Sequence, residues 1–358
     1  MFVGPSSARV RWQLLGAALF AIALAAGAGE PANGAPASAD AAATPGRGTA
    51  NATDPDAERL FKAIVKVQVR AIPNARSAAS LGREREGTGV VIGENNLILT
   101  IGYLIVEADE ITIVDNRGRT LPATVVGYDH GSGLGLVRSV VDLGASPVAL
   151  GDPAKLSARE AVLIVNHEGP GDITIAQVAA RREFTGNWEY LLDQAIFTTP
   201  PVMNWSGAAL LDRDLRLLGV GSLIVGNTDP RREAEPGNMF VPIDTLKPIL
   251  ADLVRDGRRA GPARPWLGVA ADEVRGRLVV ARVSSDGPAD QAGVDVGDII
   301  LAVGGEPVRT QAEFYRKVWA RGAAGTDVPL RLLQGAEVRD VEVHSIDRVE
   351  YFRPRTMH

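Results

Sequence analysis

The chain has 358 residues, of which 46% are hydrophobic and 23% charged, and its formal net charge is −5. At roughly 150 residues per domain this length predicts two domains. The 39 glycines and 22 prolines favour a β-rich fold with many turns. A slight acidic excess without a dense basic run argues against nucleic acid as a partner. The absence of cysteine excludes disulfides and thiolate sites, and the four histidines lack ligand spacing, so we expect neither a metal nor a cofactor.

The N-terminus has the pattern of an export signal. Two arginines precede an apolar run over 14–28, which is shorter than the roughly 20 residues that span a bilayer. Small residues at Ala26 and Ala28 fit a signal-peptidase site. We therefore predict a signal peptide over 1–28, with an uncleaved membrane anchor as the alternative, and a location in the periplasm or cell envelope. Residues 29–56 are rich in Ala, Pro and Gly, which predicts a disordered tether.

The next segment, 57–256, alternates short apolar runs with turn residues, the pattern of a β-sandwich or barrel. The runs lie at 65–69, 89–92, 97–100, 110–114, 120–126, 134–137, 161–165, 173–178, 190–192, 196–198, 208–211, 217–225 and 239–241. Asp115–Gly118 predicts a hairpin turn, with the glycine supplying a positive φ. One clear helix is predicted over Ile243–Arg255, because its apolar residues share one face.

A polar, Gly/Pro-rich linker is predicted over 257–265, followed by a compact unit over 266–346 and a loose polar tail over 347–358. The predicted strands of this unit are 278–283, 299–303, 328–333 and 338–343, and its predicted helices are 289–292 and 310–320.

The compact unit resembles a PDZ domain. Trp266-Leu267-Gly268-Val269 precedes SSDGPADQAGVDVGDIILAVGGEPV, and both motifs fall in the PDZ order. The resemblance implies that these four residues form a peptide-binding loop, whose backbone N–H groups hold a terminal carboxylate while an added strand pairs with the sheet edge. For Trp266 an alternative is open, that it anchors the linker against the first domain.

The first domain is similar to trypsin-like proteases of the HtrA/DegP family, in the runs GTGVVIGENNLILTIGYLI and LDQAIFTTPPVMNWSGAALLDRDLRLLGVGS. The resemblance implies a mainly β protein, with a chymotrypsin-like double β-barrel followed by an α/β PDZ domain. It also implies peptides or unfolded envelope proteins as partners. Assembly would be as a homo-oligomer, a trimer in this family, or as a hetero-oligomer with active relatives.

The catalytic positions depart from the family pattern. Ser206 stands at the nucleophile position, but Tyr103 replaces the histidine and Gly133 replaces the aspartate. A phenol with a pKa near 10 is a poor base at pH 7. Asn204 and Trp205 occupy the oxyanion turn, where the family has glycine at the first position, and asparagine tolerates a positive φ better than most residues.

These residues leave three hypotheses. The first is a protease homologue that is inactive and binds peptides, acting in quality control or in regulation of active relatives. The second is a serine endopeptidase that uses Ser206 with an unorthodox base, for which His130 or His167 would have to swing toward the serine. The third is an oligomerisation platform that binds no peptide.

Overall fold

The computed structural model describes residues 55–169, 173–186 and 189–352, so the predicted signal peptide and most of the predicted tether lie outside the described residues. The described chain begins with helix α1, Pro55–Ala63. The first two residues of this helix are the last two of the predicted tether. The helix has Asp56 and Glu58 in its first turn and Lys62 in its last, which suits the helix dipole. None of the helices in the described residues is long and apolar enough to cross a membrane.

Six antiparallel strands close a first barrel in the order β1-β2-β3-β6-β5-β4. The strands are β1 Ile64–Ala71, β2 Glu84–Gly93, β3 Leu97–Ile101, β4 Ala108–Val114, β5 Thr120–Asp129 and β6 Leu134–Ser139, and the short helix α2, Ala78–Leu81, lies between β1 and β2. The hairpin turn predicted at Asp115–Gly118 is confirmed, since Gly118 has φ +75° and donates to the Asp115 carbonyl.

Six further strands close a second barrel in the order β10-β11-β12-β9-β8-β7. They are β7 Ala161–Val165, β8 Ile173–Gly186, β9 Tyr190–Thr199, β10 Ala209–Leu211, β11 Leu217–Val225 and β12 Gly237–Pro242. The predicted runs 190–192 and 196–198 belong to the single strand β9, because its polar middle continues the ladder with β8. One cluster of buried apolar side chains extends through both barrels.

The helix predicted over Ile243–Arg255 is interrupted. A 3-10 turn covers Ile243–Thr245 and the α-helix α3 covers only Leu250–Asp256. Pro248 lies between them, and a proline cannot donate the hydrogen bond that would continue a helix. Gly257 ends α3 in the left-handed region, as the sequence indicates, with its N–H donating to the Leu253 carbonyl at 3.1 Å.

The C-terminal unit has its own core and a sheet in the order β13-β14-β15-β17-β18, with β16 paired to β15. Its elements are β13 Val269–Val274, β14 Arg277–Val283, α4 Pro288–Gln291, β15 Ile299–Val303, β16 Glu306–Pro307, α5 Gln311–Trp319, β17 Asp327–Gln334, β18 Glu337–His344 and α6 Arg348–Tyr351. Two barrels followed by this mixed unit confirm the predicted, mainly β fold class.

The prediction of a loose tail is wrong for its first residues. Helix α6 forms there, and the Tyr351 ring packs at 4.6 Å from the Trp266 ring. Phe352 stacks on His130 of the first barrel at 5.7 Å between ring centroids. Aromatic contacts of this kind order a short polar segment that has no helical periodicity of its own.

Candidate functional site

Ser206 lies in the turn that leads into β10, where the two barrels meet. Its carbonyl accepts the N–H of Thr88 on β2 at 2.8 Å. Gly207 follows with φ +75°, and a Cβ there would stand 2.0 Å from the Thr88 carbonyl oxygen, so only glycine fits. The turn is thereby fixed against the first barrel, and the serine hydroxyl is placed at the seam.

The residues of the oxyanion turn precede Ser206. The Trp205 carbonyl accepts the Ala208 N–H at 3.0 Å, and Asn204 is exposed. In this turn Gly207 has a positive φ, and Asn204 does not. The tolerance of asparagine for positive φ is therefore not used in this turn.

Tyr103 reaches the serine from the first barrel. It lies on the 3-10 turn Gly102–Leu104 directly after β3, and its Oη is 2.9 Å from Ser206 Oγ and 3.2 Å from the Ser222 carbonyl oxygen. Burial raises the pKa of Tyr103 to about 12, against the lowering effect of its hydrogen bond with Ser206. At pH 7 this phenol stays protonated, so it hydrogen-bonds the serine hydroxyl without taking its proton.

Gly133 stands beside this turn, just before β6. It has φ +73°, and its carbonyl accepts the Gly102 N–H at 2.7 Å. A Cβ at Gly133 would lie 3.0 Å from the ring of Tyr190, which is buried and donates its hydroxyl hydrogen to the Ser132 carbonyl at 2.8 Å. Position 133, where the resemblance implies the family's aspartate, therefore has no carboxylate, and a side chain there would be crowded by the Tyr190 ring.

The two imidazoles considered as substitute bases have other contacts. His130 packs edge-on to Tyr128 at 4.3 Å and flat on Phe352, and burial lowers its pKa well below the usual 6.5. His167 places Nδ1 3.0 Å from Thr88 Oγ1. His167 is therefore linked to Ser206 through Thr88, because it contacts the Thr88 side chain and the Thr88 N–H binds the serine carbonyl.

Asp129 is the carboxylate nearest in sequence to the missing acid. It is buried, accepts the Ser132 N–H at 2.7 Å, and forms a two-pronged ion pair with Arg259 of the linker at 2.9 and 3.1 Å. Paired in this way, it fixes the linker and orients no imidazole.

The second candidate site is the carboxylate loop, which we define as Leu267, Gly268 and Val269. Gly268 has φ +79°, and the flanking Leu267 and Val269 are buried in the core of the unit. Trp266 pairs with Ile346 through the backbone and packs on α6. The four residues predicted for peptide binding therefore lie together.

A carboxylate already lies in this loop. Oε1 of Glu189 accepts the N–H groups of Leu267, Gly268 and Val269 at 3.2, 2.6 and 3.1 Å, and its Oε2 accepts that of Leu267 at 3.2 Å. Sequence analysis missed Glu189, because it is an isolated acid between two strands of the second barrel. The next residue, Tyr190, is buried, and its ring fills the space beside Gly133.

Comparison with known proteins identifies two domains in the chain. A model of the trypsin-like peptidase domain matches residues 87–220, and a model of the PDZ domain matches residues 265–344. The chain is 28% identical over 320 residues to a probable periplasmic serine endoprotease DegP-like of Pseudomonas putida, covering 84% of this chain. It spans 64% of the length of that relative.

Serine endoprotease DegS of Haemophilus influenzae is 26% identical over 268 residues, which cover 67% of this chain and 74% of DegS. Among solved structures, the HtrA-type protease AlgW with a decapeptide has the same fold, with a TM-score of 0.51 and 18% identity over 83% of this chain and 97% of AlgW. The chain thus contains a trypsin-like peptidase domain followed by a PDZ domain, and over most of its length it is similar to DegP-like and DegS endoproteases.

Proposed function

We propose that this protein binds extended or C-terminal peptides of envelope proteins through its PDZ domain and does not cleave them. The observation that carries the proposal is the contact of 2.9 Å between Tyr103 Oη and Ser206 Oγ. Hydrolysis by a serine needs a base that takes the hydroxyl proton and a carboxylate that orients the base. Tyr103 and Gly133 supply neither, and loss of the base alone costs on the order of a millionfold in kcat.

The peptide-binding half of the proposal rests on the sheet edge and the carboxylate loop. Strand β13 stands at the end of its sheet and pairs only with β14 among the described strands. An extended peptide can add to such an edge by main-chain hydrogen bonds. The carboxylate loop leads directly into β13, and its convergent N–H groups are suited to a terminal carboxylate.

We place the protein in the periplasm or cell envelope, acting in protein quality control or in the regulation of active relatives. Two observations support this placement, the export pattern over 1–28 and the DegP-like relatives whose name describes them as periplasmic. Assembly as a trimer, or together with active relatives, belongs to the same proposal.

Binding is tested with a fluorescent peptide, Ser-Gly-Ser-Ala-Ala-Val-Leu, carrying either a free terminal carboxylate or a terminal amide. The apolar last residue of the peptide suits a loop that itself contains the apolar residues Leu267 and Val269. We expect fluorescence anisotropy to give at least about tenfold tighter binding of the acid than of the amide. Equal binding of the two peptides would contradict recognition of a carboxylate.

A second candidate function is serine endopeptidase activity with an unorthodox base. His167 favours it, because this imidazole contacts Thr88, the neighbour of Ser206. In that case Ser206→Ala and His167→Ala would each abolish cleavage of casein. The first proposal instead expects no cleavage that either substitution reduces.

A further inference from the structure

The carboxylate loop of the PDZ domain is occupied by a side chain of the peptidase domain. Three consecutive backbone N–H groups point at Glu189, the pattern with which such a loop holds an anion. Glu189 is 8% exposed and adopts φ +56°, which is uncommon for a residue other than glycine. A buried carboxylate on a left-handed backbone persists only where surrounding contacts hold it in place.

Those contacts join the PDZ domain to the ends of strands β8 and β9, which lie on either side of Glu189 in the chain. The hydroxyl of Tyr315 on α5 donates to the Gly186 carbonyl at 2.9 Å and accepts the Glu189 N–H at 3.3 Å. Leu191 packs against the core of the PDZ domain. An apolar side chain close to a carboxylate is also what the C-terminus of a peptide would present.

Charged groups fasten the outer side of the same contact. Arg316 on α5 pairs with Glu183 on β8 and with Asp193 on β9, the latter at 2.8 Å. These ion pairs are largely exposed, so each contributes little by itself. They nevertheless align α5 along the strands that carry Glu189.

We propose that Glu189 is an internal ligand of the PDZ domain, a latch that mimics a C-terminal carboxylate and excludes C-terminal peptides until one displaces it. The inference rests on the proposed peptide-binding function of the same loop. The N–H groups that would hold a peptide carboxylate are the ones that bind Glu189, so the two ligands compete. Displacement would also separate Leu191 and Tyr315 from their partners and release the PDZ domain from the second barrel.

Competition inside one chain has a measurable consequence. A tethered ligand acts at a high effective concentration, so it weakens an incoming peptide without forming tight contacts itself. The apparent Kd of the peptide is its intrinsic Kd divided by the fraction of open molecules. Removal of the Glu189 carboxylate should therefore tighten peptide binding, although it removes contacts from the folded protein.

The test compares the full chain with Glu189→Ala, using the fluorescent acid and amide forms of Ser-Gly-Ser-Ala-Ala-Val-Leu. Glu183→Ala is the matched control, because Glu183 pairs with the same helix α5 but makes no contact with the carboxylate loop. We expect at least about tenfold tighter binding of the acid peptide to Glu189→Ala and less than about threefold change for Glu183→Ala. Circular dichroism and the unfolding midpoint show that each variant is folded.

Hydrogen exchange supplies a readout that needs no peptide. In the unmodified chain the amides of Leu267, Gly268 and Val269 should be protected, and Glu189→Ala should expose them while Glu183→Ala should not. Unchanged protection in Glu189→Ala would overturn the latch.

The two proposals fail in different ways. Equal affinity of the unmodified chain and Glu189→Ala for the acid peptide would overturn the latch and leave the peptide-binding function intact. No binding of the acid peptide to either chain would contradict the proposed function, and competition at the loop would fall with it.

Discussion

Tyr103 holds the hydroxyl of Ser206 by a hydrogen bond at the point where a base would have to remove its proton. The phenol has one proton and two acceptors in reach, Ser206 Oγ at 2.9 Å and the Ser222 carbonyl at 3.2 Å. With its pKa raised by burial to about 12, the phenol is neutral at pH 7 and well above it. This arrangement is the basis of the proposal that Ser206 is held in place and not activated.

Substitution of Tyr103 by histidine tests whether a base at this position is enough for proteolysis. We expect Tyr103→His to cleave casein no faster than Tyr103→His/Ser206→Ala, because no carboxylate orients the new imidazole. Addition of Gly133→Asp should lower the free energy of unfolding by about 1–3 kcal/mol, since the backbone there is left-handed. Cleavage by Tyr103→His that depends on Ser206 would show that another residue supplies the orienting acid.

The sequence shows which residues stand at these positions, but their surroundings could not be predicted from it. Tyr103, Gly133 and Ser206 stand in recognisable motifs; in the structure Tyr103 contacts Ser206, and the Gly133 carbonyl accepts the N–H of Gly102 beside Tyr103. The Tyr190 ring beside Gly133 comes from the start of β9, more than fifty residues away in the chain. No local pattern marks such a contact, because it depends on how the barrels pack.

At the scale of elements, the strands of the two barrels follow the predicted runs closely because apolar positions alternate with turns. Strand β13, Val269–Val274, was missed since its second half, Asp272–Val274, is exposed and it pairs on one side only. Strand β8 extends beyond its predicted run because its polar second half pairs with β9, as Arg182 does with Ala195. Such pairing belongs to tertiary structure and leaves no apolar signal.

The binding of Glu189 to the carboxylate loop should depend on pH. Burial raises the pKa of Glu189 to about 7, outweighing the lowering by the backbone N–H groups and by Arg348 of α6. Tyr315 of α5 also faces Glu189, and burial raises its pKa above its ordinary value; Arg282 of β14 acts on Tyr315. Between about pH 4.5 and pH 7 the closed state therefore holds a proton that a released glutamate, with its ordinary pKa of 4.5, would lose.

The sign follows from this difference. Because the pKa of Glu189 is higher in the closed state than in the open state, protonation of Glu189 stabilises the closed state. This stabilisation is complete below about pH 4.5 and is lost as the pH rises through about 7. We expect the affinity of the unmodified chain for the acid peptide to approach that of Glu189→Ala between about pH 5 and pH 8. Anisotropy titrations of both chains across this range measure the ratio of their affinities. A ratio that stays constant or grows with pH would contradict the assignment.

The linker contact between Arg259 and Asp129 gives a prediction about stability. Arg259→Ala should lower the free energy of unfolding by about 1 kcal/mol, because it leaves a buried carboxylate with one partner fewer. The guanidinium is 42% exposed, so solvent already screens part of the interaction. Arg258→Ala is the matched control and should be nearly neutral in urea denaturation. Equal effects of the two substitutions would contradict a specific role for Arg259.

On the scale of the whole molecule, contacts between the described parts of the peptidase and PDZ domains come from several places in the chain, including the ion pairs of Arg316. The hairpin of β8 and β9 reaches the carboxylate loop, Arg259 of the linker binds the first barrel, and Phe352 stacks on His130. Motif order in the sequence predicts the two domains and their succession. Their docking could not be predicted, because each contact joins single residues from distant parts of the chain.

The central claim is that this chain binds peptides without Ser206-dependent cleavage. The most direct test is casein hydrolysis by the chain without residues 1–28, beside Ser206→Ala, over about pH 6 to pH 10. Both should also be measured in the Glu189→Ala background, so that a protease held inactive by the latch would be detected. We predict the same residual rate with and without Ser206 in both backgrounds. Cleavage that disappears in Ser206→Ala would contradict the claim and establish a serine protease with a base other than Tyr103.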